Sequence, residues 1–364
     1  MKILRTAFAI VILAIAPALA MERIVIARDG KSFALADSGK PFRPWGFNYG
    51  NAGRLMEDFW DKEWQTIEGD FEEIKAMGGN VIRVHLQYGR FMEAIDRPNA
   101  AAFRQLRRML DLAKEKGLYL DITGLACYRT SDVPKWYDAL DDDGRWNAQA
   151  SFWRAVAGEC ADHPAVFCYD LMNEPVSPAS KGDKWYSGHL LGDYDFIQHI
   201  ARDPKGRARM EVAAAWIDQL SAAIREKDKA TPITVGMLPW VTGWKHLSGF
   251  LPKEVAKHVD FLSVHIYPKT KDPAEAVRAL EECDAGKPLV IEETFPLECT
   301  VEELEAFLRK SRTTATGWIW HYDGIPIAEY DEREKAGKLG IAESIWRAGL
   351  RSFQRLRPEF IEAH

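Results

Sequence analysis

Beyond its first twenty residues the chain has no apolar run long enough to cross a membrane, which takes about 20 apolar residues in succession. Cysteine is scarce, five in 364 residues. Cys127, Cys160, Cys168, Cys283 and Cys299 form no C-x-x-C pair, which excludes the usual spacing of a zinc site. Their odd number leaves at least one thiol unpaired within a monomer. A Cys160–Cys168 bridge across a helix–strand turn is disfavoured, because Cys168 sits in an apolar run and reads as a small core residue. Basic charge is not in excess. The net charge is −6 and no basic tract occurs, which argues against a nucleic-acid partner. A glycine-rich phosphate loop is missing too: Gly46-Phe47-Asn48-Tyr49-Gly50 is not the dinucleotide fingerprint. His85, His265 and His321 lack close ligand spacing, so no metal or other cofactor is expected. There is no repeat, low-complexity tract or linker, and the chain reads as one domain.

What is present begins with residues 1–20. Lys2 and Arg5 precede an apolar core from Ala7 to Ile15, and Ala18-Leu19-Ala20 is a small-residue cleavage pattern. This reads as a cleavable signal peptide. The protein is therefore expected to be secreted or periplasmic, with no stable membrane insertion after signal removal, and residues 21–364 to form the mature domain. Thirteen tryptophans are many. Flat indoles stack well on the C–H faces of sugars, although most of the thirteen are expected in the core.

Short apolar runs alternate with amphipathic stretches. Eight runs read as strands: Arg43–Asn48, Asn80–Leu86, Leu118–Thr123, Ala165–Met172, Pro232–Met237, Asp260–Ile266, Pro288–Glu293 and Thr316–His321. Helical patterns lie between most of them: Asp61–Met77, Ala100–Lys116, Gln149–Ala161, Glu211–Lys227, Pro273–Cys283 and Val301–Arg312. Ile341–Leu356 closes the chain. Gly78-Gly79 and Gly117 supply helix stops. The pattern predicts the α/β class and a (β/α)8 TIM barrel with extended βα loops. Arg23–Ala27 and Ser32–Ala36, flanking Asp29-Gly30, predict a short N-terminal β-hairpin capping the barrel bottom.

Two acids stand where strands give way to loops. Asn173-Glu174-Pro175 ends the fourth run, and Glu292-Glu293 ends the seventh. Carboxyl groups on two strand ends of one barrel meet at its mouth, and a facing pair is what glycosidic bond cleavage requires. Successive strand residues point to opposite faces, so only one of Glu292 and Glu293 is expected to face the interior. The pattern alone does not say which. His265, Tyr267 and Trp320 fall at strand ends as well.

These residues, in this order, resemble glycoside hydrolase family 5, the cellulase- and mannanase-like enzymes of the retaining barrel clan. The resemblance spans nearly the whole mature chain. It rests on Gly46-Phe47-Asn48, Asn80-Val81-Ile82-Arg83, Asn173-Glu174-Pro175, His265-Ile266-Tyr267, Glu293 and Gly317-Trp318-Ile319-Trp320. It implies Glu174 as general acid/base and Glu293 as nucleophile, the later glutamate being favoured by the family motif. It implies Asn173 on the sugar 2-hydroxyl, Arg83 and Tyr267 beside Glu293, His265 orienting the acid, and Trp320 as the floor under the reactive sugar. Asn48 and Trp240 complete the expected substrate-binding set. Two departures stand out. Thr294-Phe295 replaces the aromatic-Gly that usually follows the nucleophile, and Thr123 stands where many members carry a histidine. His85, two residues beyond Arg83, either fills part of that role or is a core histidine.

The expected function is a secreted retaining β-glycoside hydrolase acting on an oligo- or polysaccharide of β-1,4-glucan or mannan type. An exo-acting β-glycosidase or transglycosylase on the same barrel is the enzymatic alternative. A catalytically silent carbohydrate-binding barrel is the non-enzymatic one. The segment Val176 to Arg209 bears on endo against exo action, because a pocket closed by it would favour exo. Trp185 within it, and Trp136, Trp240 and Trp244 on other loops, are either sugar platforms or packing residues.

Overall fold

The computed structural model describes residues 20–187, 193–239 and 248–362. Eight parallel strands close into a barrel. They are β1 (Trp45–Tyr49), β2 (Val81–Gln87), β3 (Tyr119–Ala126), β4 (Val166–Asn173), β5 (Ile233–Met237), β6 (Leu262–His265), β7 (Leu289–Glu293) and β8 (Gly317–Tyr322). The closing pair is β8 with β1, in register Trp320 to Phe47 and His321 to Asn48. Helices follow every strand, and those that complete the eight βα units are α1 (Trp64–Ala76), α2 (Ala100–Lys116), α3 (Asp142–Cys160), α4 (Arg209–Arg225), α5 (Pro252–Val255), α6 (Pro273–Glu282), α7 (Val301–Ser311) and α8 (Ile341–Arg357). This is the (β/α)8 barrel expected from the alternation of runs.

Local chemistry explains the helix bounds. The Asn99 side chain accepts from the Ala101 amide and starts α2, and Gly117, at φ 65°, ends it in the left-handed conformation. Thr300 and Glu303 cap α7 reciprocally. Helix α3 begins seven residues earlier than its apolar period suggests. Asp141 supplies the cap through the Gly144 amide, and the first turn is acidic.

Two apolar layers hold the barrel. One lies between strands and helices. The other fills the barrel bottom, where Val81, Phe167, Phe261, Val290 and Ile319 meet Phe33. Phe33 comes from the N-terminal hairpin, in which Ile24–Ile26 pairs antiparallel with Phe33–Leu35, extended by Pro41–Phe42. Its ring meets Phe167 and Phe261 edge-on at 5.2 and 5.1 Å. The hairpin thus plugs the bottom and leaves the opposite mouth for chemistry. All five cysteines are free thiols. No described helix is long and apolar enough to cross a membrane. Residues 1–19, on which the signal-peptide reading falls, lie outside the described residues.

Candidate active site

The site is assembled around Arg83, which β2 carries into the barrel and which is fully buried. Its Nη1 donates to Glu293 Oε1 at 2.6 Å and to Asn48 Oδ1 at 2.9 Å. Its Nη2 donates to Asp170 Oδ2 at 2.7 Å and to Asn173 Oδ1 at 3.1 Å, and lies 3.5 Å from Glu292 Oε2. One guanidinium therefore ties together the ends of β1, β2, β4 and β7. Its planar fork suits this better than a lysine ammonium would.

Glu293 is held at both oxygens. Tyr267 donates its hydroxyl to Oε2 at 2.7 Å and also lies 2.9 Å from His321 Nε2. Burial would raise the Glu293 carboxyl, but His265 and Arg83 outweigh it and hold the group well below the usual carboxylate range. Glu293 is thus a permanent anion at neutral pH.

Glu174 ends β4 in a left-handed turn, φ 46°, that lifts it out of the strand. Its amide still donates to Gly236 of β5. Its Oε1 lies 2.9 Å from Nδ1 of His265. Oxygens of Glu174 and Glu293 and a nitrogen of His265 lie within 4.8 Å of one another. A second group of acids lies beneath: Asp121, Asp170 and Glu292, all buried, offer oxygens within 4.8 Å of each other. Both sets have donor atoms of the kind that hold cations, and Arg83 already brings positive charge to each.

The family model for cellulase (glycosyl hydrolase family 5) matches residues 35–321. The chain belongs to glycosyl hydrolase family 5. Membership makes it a glycoside hydrolase. No match was found among curated proteins. Among solved structures, it is similar to the exo-beta-1,4-mannosidase Op5Man5 from Opitutaceae bacterium strain TAV5, with 20% identity and a TM-score of 0.66. That match covers 92% of this chain and 62% of the other, so the chain spans under two thirds of that protein's length. It is also similar to the beta-mannanase of the blue mussel Mytilus edulis, with 16% identity, a TM-score of 0.61 and coverage of 93% and 97%. A third is the beta-1,4-mannanase of the sea hare Aplysia kurodai, with 15% identity, a TM-score of 0.63 and coverage of 92% and 97%. At these identities the structural likeness speaks for the barrel alone.

Against the family 5 pattern, the structure brings Glu174, Glu293, Asn173, Arg83, His265, Tyr267, Asn48 and His85 together at the mouth. It corrects three expectations. Trp320 is not a sugar platform. Its side chain is 1% exposed and lies in the layer under α8, against Phe353 and beside Gly349. Trp318, Trp320 and Tyr322 share the outward face of β8, and His321 takes the inward place, stacked with Tyr267 at 6.1 Å. Asn48 is framework rather than sugar contact: its Nδ2 donates to the carbonyls of Glu292 and Trp320, both at 2.9 Å, and its Oδ1 is used by Arg83. Finally, Glu292 and Glu293 both reach Arg83. The β6–β7 register shifts so that Val264 pairs with Ile291 but His265 with Glu293, and alternation breaks at that point.

One of the two family 5 departures, at Thr123, also resolves. Thr123 is fully buried and donates to Asp170 Oδ2 at 2.8 Å, so it never reaches the mouth. His85 does face inward. Its Nε2 lies 3.3 Å from Asn48 Oδ1, and its Nδ1 bonds the hydroxyl of Tyr128. Burial and the Arg83 charge push His85 well below the usual imidazole range, so it is a neutral ring. Trp185 is 5% exposed and stacks with Arg145 and Arg202, at 4.1 and 4.3 Å, which makes it a packing residue. Trp240, Trp244 and His189 lie outside the described residues. The sequence reading missed Tyr128, Asp121, Asp170 and the inward role of His321. An acid inside the apolar run Ala165–Met172 was the available sign for Asp170. Nothing pointed to Tyr128, which lies beyond the end of β3.

Proposed function

We propose that the protein is a retaining β-glycoside hydrolase that cleaves β-1,4-linked mannan- or glucan-type saccharides by double displacement. The observation that carries this reading is the approach of the two carboxyl groups, with oxygens within 4.8 Å. Retaining enzymes place the pair about 5–5.5 Å apart, whereas inverters need roughly 6.5–9.5 Å to seat a water between them. The two environments suit the two roles. Glu293, pinned by Arg83 and Tyr267, attacks the anomeric carbon and forms the ester. Glu174, paired with His265, gives its proton to the departing oxygen and later takes one from water. Asn173 borders the same space, its Oδ1 held by Arg83 and its Nδ2 by the Phe196 carbonyl. The mannosidase and mannanases among the similar structures lend weight to a β-mannoside.

Exo action is favoured over endo action by the segment after β4. A glycan passing between β4 and β7 must run from the β5–β6 side of the mouth to the side of β8, β1, β2 and β3. That second exit is crossed by a strap. Tyr194 donates its hydroxyl to the Gly53 carbonyl after β1 at 2.7 Å. The Asp195 amide donates to the Tyr128 carbonyl at 2.7 Å, and Asn173 Nδ2 donates to the Phe196 carbonyl at 3.1 Å. The rings of Tyr128 and Phe196 pack edge-on at 4.9 Å.

One time course tests both statements. Proton NMR of products from a β-1,4-manno- or gluco-oligosaccharide should show the β-anomer first, released one terminal unit at a time. An initial α-anomer would rule out double displacement. Early mid-length fragments would mean that the strap does not end the cleft.

We further propose export, on the strength of Lys2, Arg5, the apolar core and Ala18-Leu19-Ala20. Cleavage after Ala20 would spare the hairpin, whose paired residues begin at Ile24. N-terminal sequencing of the exported protein should start at Met21; a start at Met1 would refute cleavage.

A further inference from the structure

Glu292 is fully buried, and neither of its carboxylate oxygens accepts a hydrogen bond from an N–H or an alcohol or phenol O–H. The double-displacement steps above do not use it. Nη2 of Arg83 and Nε2 of His265 each lie 3.5 Å from Oε2, and the Asp121 carboxyl approaches from β3. Nε2 of His265 is likewise without a partner. All three atoms converge at Gly236 of β5. A Cβ there would lie 2.8 Å from the arginine nitrogen, 2.9 Å from the glutamate oxygen and 3.0 Å from the histidine nitrogen. Glycine is the one residue that leaves this meeting point open.

His265 thus has carboxyl groups at both ring nitrogens: Glu174 at 2.9 Å and Glu293 at 3.4 Å from Nδ1, and Glu292 at 3.5 Å from Nε2. A neutral imidazole has only one N–H and turns a lone pair toward the other side. Two flanking carboxylates are accommodated only if the ring carries both protons or a carboxyl carries one. Either way the line Glu174–His265–Glu292 holds a proton in excess of the neutral ring.

We propose that Glu292 is a positioning residue for acid catalysis: its buried carboxylate keeps a proton on the His265–Glu174 pair, ready for the leaving oxygen. This rests on the double-displacement reading. In the first step that proton passes to the glycosidic oxygen as the C1–O bond breaks and the Glu293–C1 bond forms. In the second, water returns a proton to the pair as its oxygen joins C1 and the ester bond breaks.

The surroundings agree. Arg83 from β2, Asp121 from β3 and Asp170 and Cys168 from β4 also face Glu292. Burial and the neighbouring Glu292 push Asp121 well above the carboxylate range, so Asp121 is the triad member that stays protonated. Glu292 is left charged by Arg83 and His265, which overcome its burial. Burial works against a charge on His265, but Glu293, Glu174 and Glu292 together raise it to about 10, although His85 and His321 stand near.

The test is Glu292→Gln. Removing the charge weakens proton affinity at His265, so the proton is lost at lower pH. For an unactivated oligosaccharide, the alkaline limb of kcat/KM should move down by about one pH unit or more, a tenfold loss on that side. For a dinitrophenyl glycoside, whose leaving group needs no proton, the profile should scarcely change. Equal losses on both substrates with no moved limb would make Glu292 merely structural and overturn the proposal. Nitrogen-15 NMR of His265 in the unaltered protein gives a readout free of turnover. The ring should hold one protonation state through neutral pH, and a ring that titrates near 6.5 would overturn the proposal even if the variant fails to fold. Failure of double displacement would appear instead as an α-anomer, leaving the histidine signals as they are.

Discussion

Replacing Glu293 with alanine is expected to lower kcat roughly 10⁴-fold or more on every substrate, because no glycosyl ester can form. The Glu174→Ala variant should behave differently. On natural glycosides it should be nearly as poor, but on aryl glycosides with good leaving groups the first step needs no proton and ester should accumulate. Added azide should then restore turnover by attacking that ester and give a β-glycosyl azide. The asymmetry follows from geometry. Glu293 is clamped by a guanidinium and a phenol, whereas Glu174, among the described residues, has a histidine as its one side-chain hydrogen-bond partner. If azide instead rescues Glu293→Ala with a β-azide as product, and Glu174→Ala yields the α-azide, the two roles are exchanged.

The second large effect is expected at Arg83. Substituting methionine keeps much of the volume but removes the guanidinium that faces Asp170, Glu292 and Glu293. Stranding buried charges in this way costs about 3–5 kcal/mol. Denaturant unfolding at neutral pH should show that loss. Its pH dependence has a defined sign. In the native protein Glu293 sits below its unfolded value, so it contributes stability above that value and loses it as pH falls. Without Arg83 the clustered carboxyls bind protons more tightly folded than unfolded, and stability then falls as pH rises. The deficit should therefore shrink on acidification to about pH 5. A deficit that stays constant with pH would mean that lost packing, not charge, dominates.

How far the sequence reached can be seen residue by residue. The eight strands were legible because each is a short apolar run bounded by turn residues, and a barrel puts the ends of such runs in one place. Glu174, His265 and Tyr267 stood at strand ends by position alone, whereas Asn173 and Arg83 entered only through the family resemblance. Trp320 was misread. Its misplacement came from treating an aromatic at a strand end as inward, when the alternation Trp318, Trp320, Tyr322 belongs to the face that packs on α8. Glu292 escaped for the opposite reason. Strict alternation excludes two adjacent inward acids, and only the shifted register of β6 on β7 permits them. The strap was beyond reach because Tyr194 and Gly53 are 141 residues apart and meet through a backbone carbonyl, which leaves no trace in residue type. The start of α3 was lost because a polar, glycine-containing first turn hides a helix that its cap makes possible.

The left-handed turn at Glu174 has a consequence for the history of such a chain. A side chain with a Cβ at φ 46° carries a steric penalty of about 1–2 kcal/mol that glycine would not. Mutational drift that rewards thermal robustness alone would therefore favour glycine there, and would produce a sturdier barrel with no acid. A glutamate at such a position marks a compromise between endurance and turnover. Homologues that have given up hydrolysis should relax this residue before they lose the apolar runs that build the barrel.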